Sequence, residues 1–230
     1  MNHPRPEMQA DNEAALSGGG PGRNLLWRAL QPPFWLFCHS WLRLRICGRE
    51  NIDNSRGGLL LINHQSYLDP MLVAVELTRP VSYLARDSLF RVPIVSFILR
   101  RTHVTPISRE AVRGGSIRTA LDRLERGFLV GIFPEGTRSS GDEVAPFRSG
   151  FLALARRTRQ PIYPVGLAGA DHAMPRGSWF IRPATIGVAY GKPFTAEEAL
   201  DFRGASDRDS LAEFARARVA ECQQTAASLL

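Results

Sequence analysis

A histidine followed five residues later by an aspartate is the first pattern in this chain with the makings of chemistry. It reads Asn63-His64-Gln65-Ser66-Tyr67-Leu68-Asp69 and directly follows the apolar run 59–62. Within one helix, residues five apart are rotated by about 140°, so His64 and Asp69 cannot share a face. The histidine must therefore precede the helix. At such a strand-to-helix turn Asp69 can accept a hydrogen bond from one ring nitrogen and leave the other free as a base. A histidine held this way suits removal of a proton from a hydroxyl, a contribution worth about 10²- to 10⁴-fold in rate. A helix-capping histidine beside a solvated aspartate fits the same residues.

The second constellation is Phe133-Pro134-Glu135-Gly136-Thr137-Arg138-Ser139, at the end of the apolar run 128–133. A carboxylate, a glycine, two hydroxyls and an arginine are collected where a strand ends, the usual place for ligands in α/β proteins. Gly136 allows close approach of a ligand to the backbone. Arg138 can grip a phosphate through two parallel hydrogen bonds, and Thr137 or Ser139 can add another. The plain alternative is a polar Pro-Gly turn. Arg109, just beyond the run 104–107, and Arg148, in Pro146-Phe147-Arg148-Ser149-Gly150, gain meaning only beside these two blocks.

The elements that must position these residues are legible from apolar patterning. Segments 58–62, 81–85, 104–107, 128–133, 162–167 and 185–189 are short and mostly rich in branched residues, and read as strands. Helical periodicity covers 116–126, with Ile117, Ala120, Leu121 and Leu124 on one face. Further helices are expected over 68–77, 89–99, 150–159 and 209–229, the last presenting Leu211, Ala215, Val219 and Cys222 on one side. Alternation of this kind predicts an α/β fold: a single domain with a central mixed, largely parallel sheet flanked by helices.

Ahead of this domain the chain changes character. Residues 1–22 are polar and end in Ser17-Gly18-Gly19-Gly20-Pro21-Gly22, which reads as a disordered tail without the pattern of a secretory signal. In the segment 23–47, Trp27, Leu30, Phe34, Phe37, Trp41 and Leu44 recur at spacings of three and four, predicting an amphipathic helix that Pro32-Pro33 should break or kink. Its longest stretch without a charge is 29–42, too short for the roughly 17 to 25 residues that span a bilayer. Three of the four tryptophans lie here, flanked by Arg23, Arg28, Arg43 and Arg45. That composition suits a segment lying in the headgroup region of an anionic membrane. The same apolar face could instead pack on the domain's own core.

Lys+Arg 29 against Asp+Glu 22 leaves a net charge of +7, nearly all of the positive charge being arginine because Lys192 is the one lysine. Such a surface attracts anions without choosing among nucleic acid, lipid headgroups and phosphorylated metabolites. Hydrophobic residues at 44% and charged residues at 22% exclude wholesale disorder. Cys38, Cys47 and Cys222 are odd in number and lack metal-ligand spacing, so neither a disulfide framework nor a structural metal site is suggested.

Taken in order along residues 48–194, these blocks resemble the glycerolipid acyltransferase family, which includes the 1-acyl-glycerol-3-phosphate acyltransferases. The resemblance is carried by His64 with Asp69, by Arg109, by the run Phe133 to Ser139 residue for residue, and by Pro161-Ile162-Tyr163-Pro164-Val165. Two positions depart from it: His103 stands where the family often has glycine, and Arg148 where lysine is usual. The resemblance implies acyl transfer from acyl-CoA or acyl carrier protein, as co-substrate, to the hydroxyl of lysophosphatidic acid or a related lyso-lipid. His64 would be the base and Asp69 its orienting partner. Arg109, Glu135, Gly136, Thr137 and Arg138 would form the acceptor's glycerol-phosphate site, with no metal and no bound cofactor. On this reading 23–47 is a membrane-associating segment and 48–230 the acyltransferase domain, placed peripherally on the cytoplasmic face of an anionic membrane. A lipid esterase would act on similar substrates, but the G-x-S-x-G elbow is absent, and Ser66 reads better as a support residue than a nucleophile. A nucleic-acid binder would leave the ordered motifs unexplained.

Overall fold

The most apolar run in the chain becomes the middle of the sheet. In the computed structural model, which describes residues 25–86, 90–91, 93–107, 115–139, 143–148, 150–201 and 208–230, β2 (Gly58–Ile62) is buried along its whole length. It lies between β5 (Leu129–Ile132) and β6 (Ile162–Ala168), both parallel to it. A strand covered on both faces has no polar side to present, which is why it reads as a continuous apolar run.

Among the described residues seven strands form one sheet in the order β1-β7-β6-β2-β5-β3-β4. The remaining strands are β1 (Arg45–Cys47), β3 (Val81–Arg86), β4 (Thr105–Ile107) and β7 (Gly187–Tyr190). Only the β6–β7 pair is antiparallel. The mixed, largely parallel sheet expected from the alternation is the one observed. Strand β1 was not anticipated: its three residues are too few to show a period, and it exists because it pairs with β7.

Alternation along β2 divides the interior in two. Leu60 and Ile62 face a core containing Tyr83, Tyr163 and Val165, closed by Cys38 of α1 (Leu25–Ser40) and by Leu72 and Val73 of α2 (Asp69–Ala74). Leu59 and Leu61 face the other, closed by Ala120 and Leu124 of α4 (Gly115–Glu125), Leu152 of α5 (Gly150–Ala155), and Leu211, Ala215 and Val219 of α8 (Arg208–Ala227). Helix α3 (Pro93–Arg101) and the short α6 (Ala170–Ala173) and α7 (Ala196–Asp201) complete the set. Helix α8 approaches the sheet so closely at Gly166 that a Cβ there would sit 2.1 Å from the backbone of Cys222 and Gln223.

Helix α1 departs from expectation in one respect. It runs through Pro32 and Pro33 without interruption. Two backbone donors are lost at that pair, and tertiary contacts offset them. Trp27 and Cys38 are buried, Phe34 and Phe37 pack on the core, Gln31 Nε2 donates to the carbonyls of Val75 and Leu77, and His39 Nε2 meets Glu76 Oε1 at 2.7 Å. The expected apolar stripe is split, because Leu30 and Trp41 remain exposed together with Leu25, Trp35 and Leu36. The alternative of packing on the domain's own core accounts for one face of this helix, while another face is apolar and exposed. No helix among the described residues is long and apolar enough to cross a membrane.

Candidate active site

The site is assembled where two neighbouring parallel strands end. Leu61 of β2 is paired with Ile132 of β5, so the chain leaves both strands on the same side of the sheet, one into Asn63-His64 and the other into Phe133-Pro134-Glu135. Asn63 steadies the exit from β2 toward β6: its Oδ1 accepts from the Leu167 N–H at 2.7 Å and its Nδ2 donates to the Leu167 carbonyl at 3.0 Å.

His64 does precede the helix, and Asp69 is the first residue of α2. The ring Nδ1 lies 2.8 Å from Asp69 Oδ2, which also accepts the backbone N–H groups of Gln65 at 2.7 Å and Ser66 at 2.8 Å. An oxygen already taking two N–H donors is an acceptor for the third, so Nδ1 carries the proton and Nε2 is left with its lone pair. Asp69 is fully buried. Burial pushes its carboxyl above the ordinary carboxylate range, while the His64 ring and the two backbone donors pull it back down.

The face of the imidazole is fixed as well. Phe133 stacks on it with ring centroids 4.2 Å apart, and Tyr83 stacks behind Phe133 at 6.1 Å. The backbone of His64 is clamped by the second block. Glu135 Oε1 accepts its N–H at 2.8 Å, and its carbonyl accepts from the N–H of Ser139 at 2.8 Å and the Ser139 hydroxyl at 3.1 Å. The two motifs, some 70 residues apart, thus meet through one residue's backbone. The sequence reading of both blocks did not contain this link, nor the aromatic stack.

Glu135 is buried, its second oxygen accepting the Ala145 N–H at 3.2 Å, and burial raises its pKa against those hydrogen bonds. Gly136 has φ +71°, and a Cβ there would meet the Arg148 side chain at 2.6 Å. Arg148 in turn donates from Nε to the Glu135 carbonyl at 3.0 Å, so it braces the loop rather than standing free. Thr137 is exposed. The Arg138 guanidinium lies 3.8 Å over the Tyr67 ring, three residues past His64, and its buried Nη1 has no hydrogen-bond partner among the described residues. Arg109 lies outside the described residues, as does the tail 1–22. His103 adopts φ +65°, the left-handed conformation that glycine takes at no cost, so the loop keeps a glycine-like backbone despite the substitution. Its buried ring lies against Phe128 with centroids 5.3 Å apart.

Ser66 is buried and its hydroxyl donates to the Met174 carbonyl at 3.1 Å, which is a supporting and not a nucleophilic placement. A cleft of about 410 Å³ is bordered by Gln65, Ser139, Asp171, His172, Arg176 and Arg182, and it nears the dyad through Gln65, next to His64 in the chain, and Ser139, which bonds the His64 carbonyl. No group of residues able to hold a metal ion is found among the described residues.

If this arrangement is a base and its orienter, Asp69→Asn should lie between the wild type and His64→Ala. The base remains, but its tautomer is less strictly imposed, so a loss of about tenfold or more in turnover is expected. Saturating-substrate rates of the three proteins check the order, and an Asp69→Asn rate equal to wild type would detach Asp69 from the mechanism.

Comparison with known proteins gives the family and the fold. Residues 43–168 match the model of the Acyltransferase family. The chain is 28% identical over 180 residues to the chloroplastic 1-acyl-sn-glycerol-3-phosphate acyltransferase BAT2 of Brassica napus, covering 76% of this chain and 49% of that protein. It is 26% identical over 175 residues to the 1-acyl-sn-glycerol-3-phosphate acyltransferase of Bacillus subtilis, covering 76% of this chain and 83% of that one. The chain spans about half the length of the chloroplastic relatives it matches. The crystal structure of the 1-acyl-sn-glycerophosphate acyltransferase PlsC from Thermotoga maritima superposes with a TM-score of 0.71 at 23% identity, over 99% of this chain and 84% of that one, which establishes a shared fold. With more than half of its residues matched and the His64–Asp69 pair formed in space, the chain belongs to the acyltransferase family.

Proposed function

We propose that the protein transfers a fatty acyl group from a thioester, acyl-CoA or acyl carrier protein, to the free hydroxyl of 1-acyl-glycerol 3-phosphate, yielding phosphatidic acid and a free thiol. The observation that carries this reading is the oriented imidazole, with Nδ1 on Asp69 and its backbone tied to the loop that bears Arg138. His64 Nε2 takes the hydroxyl proton as the oxygen attacks the thioester carbonyl. The new ester C–O bond forms, the C–S bond breaks, and the proton passes from the imidazolium to the departing thiolate. Asp69 stabilises the transient positive ring. No acyl-enzyme intermediate is required.

Arg138 supplies the phosphate contact on this reading. Its guanidinium is already ordered on Tyr67, so little freedom is lost when the anion arrives. Arg109 and Thr137 are assigned to the same acceptor phosphate, while Glu135 and Gly136 shape the loop that presents it. The exposed apolar face of α1, with its flanking arginines, is assigned to attachment on the cytoplasmic face of an anionic membrane.

The test is an acceptor panel with acyl-CoA and acyl-carrier-protein donors, read by product mass. Turnover should require the lyso-lipid acceptor, and release of free fatty acid without one would mark a hydrolase instead. Arg138→Ala should raise the KM for phosphorylated acceptors by about 10- to 100-fold, in line with loss of a charge-assisted pair worth roughly 1.5 to 3 kcal/mol. An equal loss with unphosphorylated acceptors would remove Arg138 from the phosphate site.

A further inference from the structure

Among the described residues the most exposed large aromatic does not belong to α1. Trp179 is 89% exposed and its neighbour Phe180 57% exposed, in the loop between α6 and β7. The loop is not slack. A turn closes from the Ser178 N–H to the Pro175 carbonyl at 3.1 Å, with Gly177 at φ +81° in the position where such a turn needs a left-handed residue. The Ser178 hydroxyl donates to the Phe180 carbonyl at 2.9 Å, the Arg182 N–H bonds the Ala173 carbonyl at 2.9 Å, and Ile181 packs on the core. The two aromatics are held outward by a braced backbone, so presenting them costs little entropy at the moment of contact.

Three observations say what they face. Trp41, at the end of α1 and 42% exposed, donates from Nε1 to the Ile181 carbonyl at 3.1 Å, which joins the apolar face of α1 to this loop. Arg176 and Arg182, both exposed, flank the aromatic pair in the chain. The same two arginines border the cleft whose other walls include Gln65, next to His64 in the chain, and Ser139, whose N–H bonds the His64 carbonyl. Aromatics projecting between arginines, continuous with an amphipathic helix, match the layered chemistry of a bilayer interface: apolar side chains at the acyl boundary, guanidinium groups at anionic headgroups.

We propose that the loop 175–182 is a second membrane contact, inserting Trp179 and Phe180 into an anionic bilayer so that the mouth of the cleft beside His64 opens at the lipid surface. Its attachment stands on exposure and charge alone, whereas its purpose, admitting a lyso-lipid directly from the membrane, rests on the acyltransferase reading.

The full chain is mixed with vesicles of phosphatidylcholine and phosphatidylglycerol and sedimented without any substrate. Trp179→Ser with Phe180→Ser should lower the partition coefficient by about tenfold or more, since two aromatic side chains no longer leave water. Trp179→Phe should retain most of the binding. Unchanged partitioning of the double variant, with α1 intact, would overturn the proposal, as would an equal loss in Trp179→Phe, which keeps the apolar contact. The same double variant assayed on acceptor dispersed in detergent micelles should keep its acyl-transfer rate within about twofold of the unaltered protein, because neither residue touches the dyad. A fall in micelles as large as that on vesicles would assign the loop to the site itself and defeat the membrane role. Acyl transfer missing even from the unaltered chain would bear on the catalytic reading and leave the sedimentation result to decide the loop.

Discussion

Replacing His64 with alanine is expected to cut acyl transfer by about 10²- to 10⁴-fold, the range a positioned general base supplies, while the protein remains folded. The fold survives because the interactions that hold this turn run through the backbone. Glu135 and Ser139 bind the N–H and carbonyl of residue 64, and Asp69 still accepts from Gln65 and Ser66 when the ring is gone. The loss of one hydrogen bond to a charged group and of the stack on Phe133 should cost on the order of 2 kcal/mol of stability. Thermal melting and turnover measured on the same preparation separate the two effects. Turnover within a few-fold of wild type would remove His64 from the mechanism, whatever the melting curve showed.

Glu135→Gln is the second large effect, and it discriminates between two roles for one carboxylate. The resemblance of the second block to known acyltransferases assigns Glu135 to the acceptor. Its position instead spends both oxygens on backbone N–H groups, those of His64 and Ala145. Either orientation of an amide at this site turns an NH₂ group toward one of those donors, inside a protein region where Glu135 is only 3% exposed. The expected cost is about 1 to 3 kcal/mol of stability for the unsatisfied pair. Activity should fall about tenfold or more through kcat, because the backbone under His64 is no longer held, with the KM for the acceptor within about twofold of wild type. The opposite split, a raised KM with kcat intact, would place the carboxylate on the substrate after all.

Much of this molecule is written in short-range pattern. Strands β2, β5 and β6 are short apolar runs whose length and branched residues mark them as buried strands, and the periodicity of α4 and of α8, with Leu211, Ala215, Val219 and Cys222 buried in register, reports which side each helix will bury. The His64–Asp69 relation is local in the same sense, since five residues and a helix start put the histidine ahead of the helix and allow the two to meet across a turn. Pro32-Pro33 shows the limit of such rules. The local penalty is real, yet α1 passes through it because Trp27, Cys38, Phe34 and Phe37 gain a core to pack on, and a tertiary gain can exceed a local cost.

Residue types and their spacing by themselves determined the α/β class, the strand-to-helix turn at His64 and the polar turn from Glu135 to Arg138 at the end of a strand. Only the tertiary structure decided that Glu135 reaches the backbone of His64, that Phe133 covers its ring, that Tyr67 carries Arg138, and that Trp179 and Phe180 stand outward beside the cleft. The reason is the order of strands. Which loops become neighbours depends on β2 lying between β5 and β6, and that order is settled by the burial of every strand and helix at once, not by any window of sequence.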